Sequence, residues 1–219
     1  MWINWNDLPE NMKNEQVRPY YEKLKQKRGS LITKRLFDIL VSLVMLILLS
    51  WLFLILAIAI KVDSHGPVFY RQVRVTTGNR DFRIFKFRTM VNNADKIGSL
   101  VTTGNDSRIT RVGAKIRKCR LDEIPQLLNI LKGEMSFVGT RPEVRKYVNR
   151  YTDEMMATLL IPAGVTSLAS ISFKDEDGLI DEYTEKGMSV DDAYMEKVLP
   201  EKMKYNLEYM NQFGVFRDI

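Results

Sequence analysis

One cysteine and one histidine are all the thiol and imidazole that this 219-residue chain offers to a metal or a redox couple. Cys119 therefore has no partner for an internal disulfide, which agrees with a reducing compartment. It stands among cations but far in sequence from His65, the only histidine, so it reads as a packing residue rather than a nucleophile. No His and Cys pattern has zinc-ligand spacing, and neither the GxxxxGK[ST] nor the GxGxxG phosphate loop occurs. A phosphate site must then be assembled from side chains, helix starts and metal. A signal peptide is also excluded, because the apolar core comes late and no small-residue cleavage site follows it. The length suits one medium domain plus an anchor better than two domains.

What the chain does have is a long uncharged stretch. Residues 39–60, about 22 in all, carry no charge and are apolar on every side, long enough to cross a bilayer. Basic residues flank both ends, with Lys34 and Arg35 before it and Lys61, Arg71 and Arg74 after it. Positive charge marks the cytoplasmic side, and here it marks both flanks, which favours a re-entrant hairpin but permits a simple span. Ser50 can bond back to a carbonyl four residues earlier and bend the helix there. The preceding arm is polar, with Trp2, Trp5, Tyr20 and Tyr21 interspersed, as suits a membrane surface. Overall, 33 Lys+Arg against 27 Asp+Glu give a formal charge of +6, an excess suited to nucleic acid, anionic lipid or a phosphorylated substrate.

After the anchor, residues 68–75 and 82–88 read as two strands joined through Gly78-Asn79. Alternation in the second places Lys86 and Arg88 on one face, a pair of cations aimed together or a solvated edge. Residues 90–110 read as largely irregular. The densest chemistry follows, in residues 115–142. A basic run holding Arg117 leads to adjacent carboxylates, Asp122 and Glu123, then to Ile124, Leu127, Leu128 and Leu131 at the spacing of one buried helix face. Pro125 is tolerated near a helix start, so the carboxylates should sit at that helix's N-terminus, where anions are favoured and stay ionised. Two carboxylates among cations suit a divalent metal and a phosphate; taken alone, the same pair also reads as a helix cap. Val144, Tyr147, Val148, Tyr151, Met155 and Leu159 share helical spacing, residues 174–185 are acidic and solvated, and residues 200–213 read as a helix with Met203, Leu207 and Met210 on one side.

Leu121-Asp122-Glu123-Ile124-Pro125-Gln126-Leu127-Leu128-Asn129, then Leu131-Lys132-Gly133-Glu134-Met135-Ser136-Phe137-Val138-Gly139 and Arg141-Pro142, closely resembles the signature of the bacterial sugar transferases, the monotopic phosphoglycosyl transferases. Lys34-Arg35-Leu36-Phe37-Asp38 resembles that family's basic motif at the membrane surface, and Phe85-Lys86-Phe87-Arg88-Thr89-Met90 its Lys-Phe-Arg-Ser-Met element. The likeness covers about 85% of the chain, from residue 34 to residue 219. It departs from the family at three points: Trp51 follows Ser50 where the family has proline, Thr140 replaces the first proline of Pro-Arg-Pro, and Ser167 replaces a glycine of Pro-Gly-Ile-Thr-Gly. Family members also generally continue past the point where this sequence stops.

The resemblance implies an α+β fold: a membrane-anchored single domain with an N-terminal re-entrant hydrophobic helix, a small β-hairpin and several amphipathic helices. Its segments would be an arm (1–33), a membrane helix (34–61) and a catalytic domain (62–219) on the cytoplasmic face of the bacterial inner membrane. The implied reaction moves a sugar-1-phosphate from a UDP-sugar to polyprenol (undecaprenyl) phosphate, releasing UMP and starting polysaccharide assembly. Asp122 would be the nucleophile and Glu123 its helper, both on Mg2+. Lys86, Arg88, Arg117, Arg141 and Pro142 would bind substrate, and Lys34, Arg35, Asp38 and Ser50 would form the membrane motif. Membrane lipids are the other partners, with no nucleic acid; neither the sugar nor the oligomeric state is legible. The alternative is a non-enzymatic, membrane-tethered basic module that binds nucleic acid or anionic lipid.

Overall fold

A computed structural model describes residues 2–94, 106–173, 176–215 and 218. Two 3₁₀ turns lead into α1 (Arg18–Gln26), with Pro19 in its first turn. Then α2 (Arg28–Leu48) breaks at Leu49 and resumes as α3 (Ser50–Asp63). Neither helix alone is long and apolar enough to cross a membrane; the pair passes that test together and is bent by 62°. The bend needs no proline. Ser50 Oγ donates to the Ile47 carbonyl at 2.9 Å, three residues back rather than the predicted four, and draws that carbonyl out of the helical ladder. Packing sets its direction. Met45, Leu46 and Leu49 lie against one cluster built on Phe82, Ile84, Leu127 and Ile130. Leu56 and Ile60 join a different cluster with Phe87 and Ile116. The opposite face of the bent pair is bare: Leu40, Leu43, Ile47, Trp51, Leu54 and Ile58 are each at least 50% exposed.

The predicted hairpin is present as β1 (Phe69–Thr76) and β2 (Arg80–Phe87), antiparallel, with Phe69 opposite Phe87 and Tyr70 opposite Lys86. Gly78 (φ 70°) and Asn79 (φ 56°) supply the left-handed turn. Next come α4 (Arg111–Lys118), capped by the Thr110 hydroxyl on the Gly113 N–H at 3.0 Å, a 3₁₀ helix at Leu121–Gln126, and α5 (Leu127–Lys132). A second sheet, absent from the sequence reading, pairs β3 (Met135–Val138) in parallel with β4 (Ala163–Thr166). A Cβ on Gly164 would fall 2.3 Å from the Gly139 nitrogen, so glycine is required where these backbones meet. Between them lie α6 (Arg145–Val148) and a 3₁₀ segment at Met155–Leu160. The continuous helical stripe expected over residues 144–159 is therefore interrupted, with the Thr152 hydroxyl taking the Met155 N–H at 3.4 Å. The chain ends through α7 (Leu168–Ser172), α8 (Glu176–Glu185), α9 (Val190–Ala193), a π-helical turn and α10 (Leu199–Gln212). The last agrees with the predicted helix, and Met203 and Met210 are buried on it.

The N-terminal arm folds back on the domain. Met12, Val17, Tyr21 and Leu24 are buried in one core with Val148, Leu159, Met210 and Phe213, and the Tyr20 hydroxyl donates to Glu154 at 2.7 Å. Cys119, expected to pack, is exposed at the C-terminus of α4. Of the predicted irregular and acidic stretches, residues 95–105 and 174–175 lie outside the described residues.

Candidate active site

The two carboxylates sit in the first turn of the 3₁₀ helix, which Arg120 opens in the left-handed conformation (φ 56°). A helical start was predicted, but its form changes which face is buried. Pro125, Gln126, Leu127, Asn129 and Ile130 go inward, whereas Ile124, Leu128 and Leu131 are only half-buried. The tighter first turns shift the phase by which a 3.6-residue stripe is counted. Asn129 turns inward to act as a strand edge for β2. Its Oδ1 accepts the Phe85 N–H at 2.8 Å, and its Nδ2 donates to the Arg83 carbonyl at 3.0 Å and to Glu134 at 2.6 Å. The carboxylate-bearing turn is thereby fixed to the strand that carries Lys86.

Lys86 Nζ donates to Glu123 Oε1 at 2.8 Å and stands 3.9 Å from Asp122 Oδ2. Arg141 approaches Glu123 Oε1 at 3.9 Å from the other side. Burial alone would raise Glu123, but Lys86 and Arg141 together outweigh it and hold its carboxyl below the usual range. Asp122 goes the other way. Its burial, more than the fields of Lys86 and Arg117, controls the shift, and its pKa is raised. The six-residue 3₁₀ helix start does not by itself offset the water that Asp122 loses. Burial likewise lowers Lys86, whose ammonium relies on Glu123 to remain charged. The dyad is asymmetric. Glu123 is bound up in ion pairs, while Asp122 keeps the higher proton affinity and a looser hold.

Arg141 and Pro142 lie on the loop after β3. Arg74, read from sequence only as a flanking charge, joins them by donating to the Pro142 carbonyl at 3.1 Å. Thr140, in place of the family's proline, ties this loop inward through its hydroxyl on the Thr158 carbonyl at 3.0 Å. Arg117 is half-buried on α4, and its charge reaches Asp122. Arg88 has a different task from Lys86. Its buried guanidinium donates to the Ser64 carbonyl (2.7 Å) and hydroxyl (2.9 Å), the His65 carbonyl (2.9 Å) and the Ile60 carbonyl (3.3 Å), closing the C-terminus of α3. These bonds tie Arg88 to the end of α3. Arg88→Met should cost ~2–4 kcal/mol by leaving buried carbonyls unpaired. Denaturant unfolding in detergent reads that loss, and an unchanged midpoint would refute the capping role.

The residues expected to form a membrane motif are tied to the same centre. Arg35 donates to the last carbonyls of α5, at Ile130 and, at 2.8 Å, Leu131, where a cation complements the helix end. Asp38 Oδ1 accepts the Phe137 N–H of β3 at 3.2 Å. Lys34 pairs with Asp218. Ser50 stands at the bend. A cavity of about 670 Å³ opens beside Glu123, lined by Glu123, Arg141, Arg120 and Glu176 on its polar side. Met45 of α2, Ile124, Leu127, Phe137 and Phe173 form its apolar side. That volume suits a nucleotide-sized ligand. Among the described residues no group of three or more His, Cys, Asp or Glu forms a protein-only metal cage.

The sequence is similar to several known transferases. The chain is 44% identical over 141 residues to the UDP-N-acetylgalactosamine-undecaprenyl-phosphate N-acetylgalactosaminephosphotransferase of Aeromonas hydrophila, covering 63% of this chain and 33% of that protein. It is 34% identical over 195 residues to the UDP-glucose:undecaprenyl-phosphate glucose-1-phosphate transferase of Klebsiella pneumoniae, covering 87% of this chain and 38% of that one. Against the sugar transferase EpsL of Bacillus subtilis the identity is 37% over 142 residues, covering 65% of this chain and 69% of EpsL. The match thus spans about a third of the Aeromonas protein and under two fifths of the Klebsiella one. The family model for bacterial sugar transferases matches residues 29–219, from the start of the bent helix through the dyad to the last residue, and the chain belongs to that family.

Proposed function

We propose that this protein transfers a sugar-1-phosphate from a UDP-sugar to undecaprenyl phosphate, with UMP as the leaving group. The observation that carries the reading is one cavity with two kinds of wall: Glu123 and Arg141 on one side, and Met45 of the bent apolar helix on the other. A polar donor and a lipid acceptor can meet only where such walls adjoin. In the first step an Asp122 carboxylate oxygen forms a bond to the sugar-linked phosphorus. The bond to UMP breaks, and its electron pair leaves on the UMP oxygen. In the second, a phosphate oxygen of the lipid attacks the same phosphorus and Asp122 is released as carboxylate. Asp122 suits the attacking role because its lone pairs are not held in a close ion pair, and its raised proton affinity accompanies stronger nucleophilicity. Glu123, clamped by Lys86 and Arg141, orients the charges around it. Arg141 and Arg117 would take the phosphate oxygens in their planar forks.

Mg2+ fits this donor set. It binds through one or two carboxylates plus substrate phosphates and keeps its waters, so Asp122 and Glu123 suffice without a third protein ligand. When bound, it would supply charge neutralisation at the pyrophosphate. The bare face of α2 and α3 would sit in the bilayer as a re-entrant hairpin, with arm and catalytic domain together on the cytoplasmic face.

Two experiments test this. Incubation with undecaprenyl phosphate and a panel of UDP-sugars should release UMP with at least one donor; no release with any would refute the reaction. For topology, single cysteines at Asn6 and Glu185 in a Cys119→Ser background should both label from the cytoplasmic side of vesicles. Labelling from opposite sides would mean that the bent pair spans.

A further inference from the structure

The transferase reading leaves the one other carboxylate among the described residues of the cavity wall without a task. Glu176 faces the same cavity as Glu123 and Arg141, and its charge is felt by Arg141. A carboxylate there should oppose a pyrophosphate. It is instead supplied with a private counter-ion: Lys202 Nζ, with its side chain only 4% exposed, donates to both Glu176 oxygens at 3.0 and 3.2 Å. Lys202 is fixed in turn by the Tyr194 hydroxyl at 3.2 Å, and Tyr194 donates to the buried Glu143 at 2.6 Å. Glu143 follows Arg141 and Pro142 directly, with Arg74 3.9 Å from it. A buried chain of four side chains therefore joins the phosphate-binding loop to the opposite wall. It holds the Glu176 carboxylate at one orientation, a third exposed, with its charge balanced from behind.

A carboxylate so held is an acceptor for hydroxyls. Bonds to an ionised acceptor are about twice as strong as neutral ones, and a site built to bond a hydroxyl discriminates sharply against ligands that lack it. Neutralisation by Lys202 lets Glu176 play that part without repelling the neighbouring phosphates. The cavity places Glu176 with Ser170 and Thr166, two further hydroxyl-bearing side chains of the same wall. We propose that Glu176, positioned by Lys202, is the residue that accepts hydrogen bonds from the sugar hydroxyls of the donor and sets which sugar is used. This inference rests on the transferase reading.

The test uses the full chain in detergent with undecaprenyl phosphate and several UDP-sugars that differ in hydroxyl configuration. Glu176→Gln should change the ratio of kcat/KM between preferred and poor donors by about tenfold, equivalent to ~1.4 kcal/mol. The affinity for UMP, which has no sugar, should stay within about twofold. Lys202→Met should move selectivity in the same direction, since the carboxylate loses its orientation. If Lys202→Met does not fold, the half-exposed Glu176→Gln decides alone. Unchanged selectivity in Glu176→Gln, or equal weakening of UMP and UDP-sugar, would overturn the proposal. Absence of UMP release from the wild-type chain with every donor would refute the underlying reaction instead, a result distinct from loss of selectivity.

Discussion

Asp122→Asn is expected to reduce turnover about 10⁴-fold or more while leaving the protein folded. The chemical reason is that an amide oxygen cannot form and later release the phosphoester that the two-step route requires. The stability side follows from burial. The folded-state pKa of Asp122 is raised, so between the ordinary and the raised value the folded protein binds more protons than the unfolded chain. Stability then falls as pH climbs through that window, and at neutral pH the charged side chain is a net cost. Asp122→Asn removes that cost, and its melting temperature at pH 7 should equal or exceed that of the wild type. The gap should close as pH falls through the ordinary carboxylate range. Glu123→Gln should behave oppositely. Its folded pKa is depressed, so its carboxylate contributes stability above the ordinary value and loses it as pH falls through the depressed one. The Gln variant also leaves the buried Lys86 without its 2.8 Å partner. An Asp122→Asn protein with near-normal turnover, or one that melts well below the wild type at neutral pH, would contradict these roles.

Arg141→Lys is expected to be the next most damaging change, lowering kcat/KM about 10²-fold. Arg141 is a third exposed on its loop and holds one long-range ion pair, to Glu123 at 3.9 Å. Little structure depends on it, so denaturant unfolding should be unchanged. A lysine keeps the charge but not the flat, two-pronged donor that fits paired phosphate oxygens. Arg117→Lys should show a weaker form of the same loss, since a lysine keeps the charge that Asp122 feels but not the planar fork. Rates near normal in both variants would make these arginines surface residues.

The parts that sequence reading reached are those whose chemistry is contiguous. Asp122 and Glu123 are neighbours, and the charge-free run and the hairpin turn at Gly78-Asn79 are each local patterns that need no knowledge of the fold. Strand alternation and family likeness both pointed to Lys86, family likeness to Arg141, and the structure brings both to Glu123. What escaped depends on long-range contacts. The back-bond of Ser50 was legible, but the direction of the bend at Leu49 is set by two packing clusters that hold α2 and α3 separately. Arg88 looked identical in kind to Lys86, two positions earlier, yet the carbonyls it serves belong to α3. Asn129 seemed an incidental polar residue inside an apolar stripe; its burial makes sense only beside β2. Glu143, Tyr194, Lys202 and Glu176 are spread over sixty residues and meet only after α10 docks. A buried lysine at a fixed helical phase, Lys202 one position before Met203, was the single local hint available.

The central claim is a covalent intermediate on Asp122. Its most direct test is the intact mass of the protein after incubation with UDP-sugar and Mg2+ in the absence of any lipid acceptor. The account predicts a gain of one phosphosugar, mapped by fragmentation to Asp122, absent in Asp122→Asn and discharged when undecaprenyl phosphate is added. An unmodified mass under conditions that support turnover, together with kinetics that require both substrates bound at once, would contradict it.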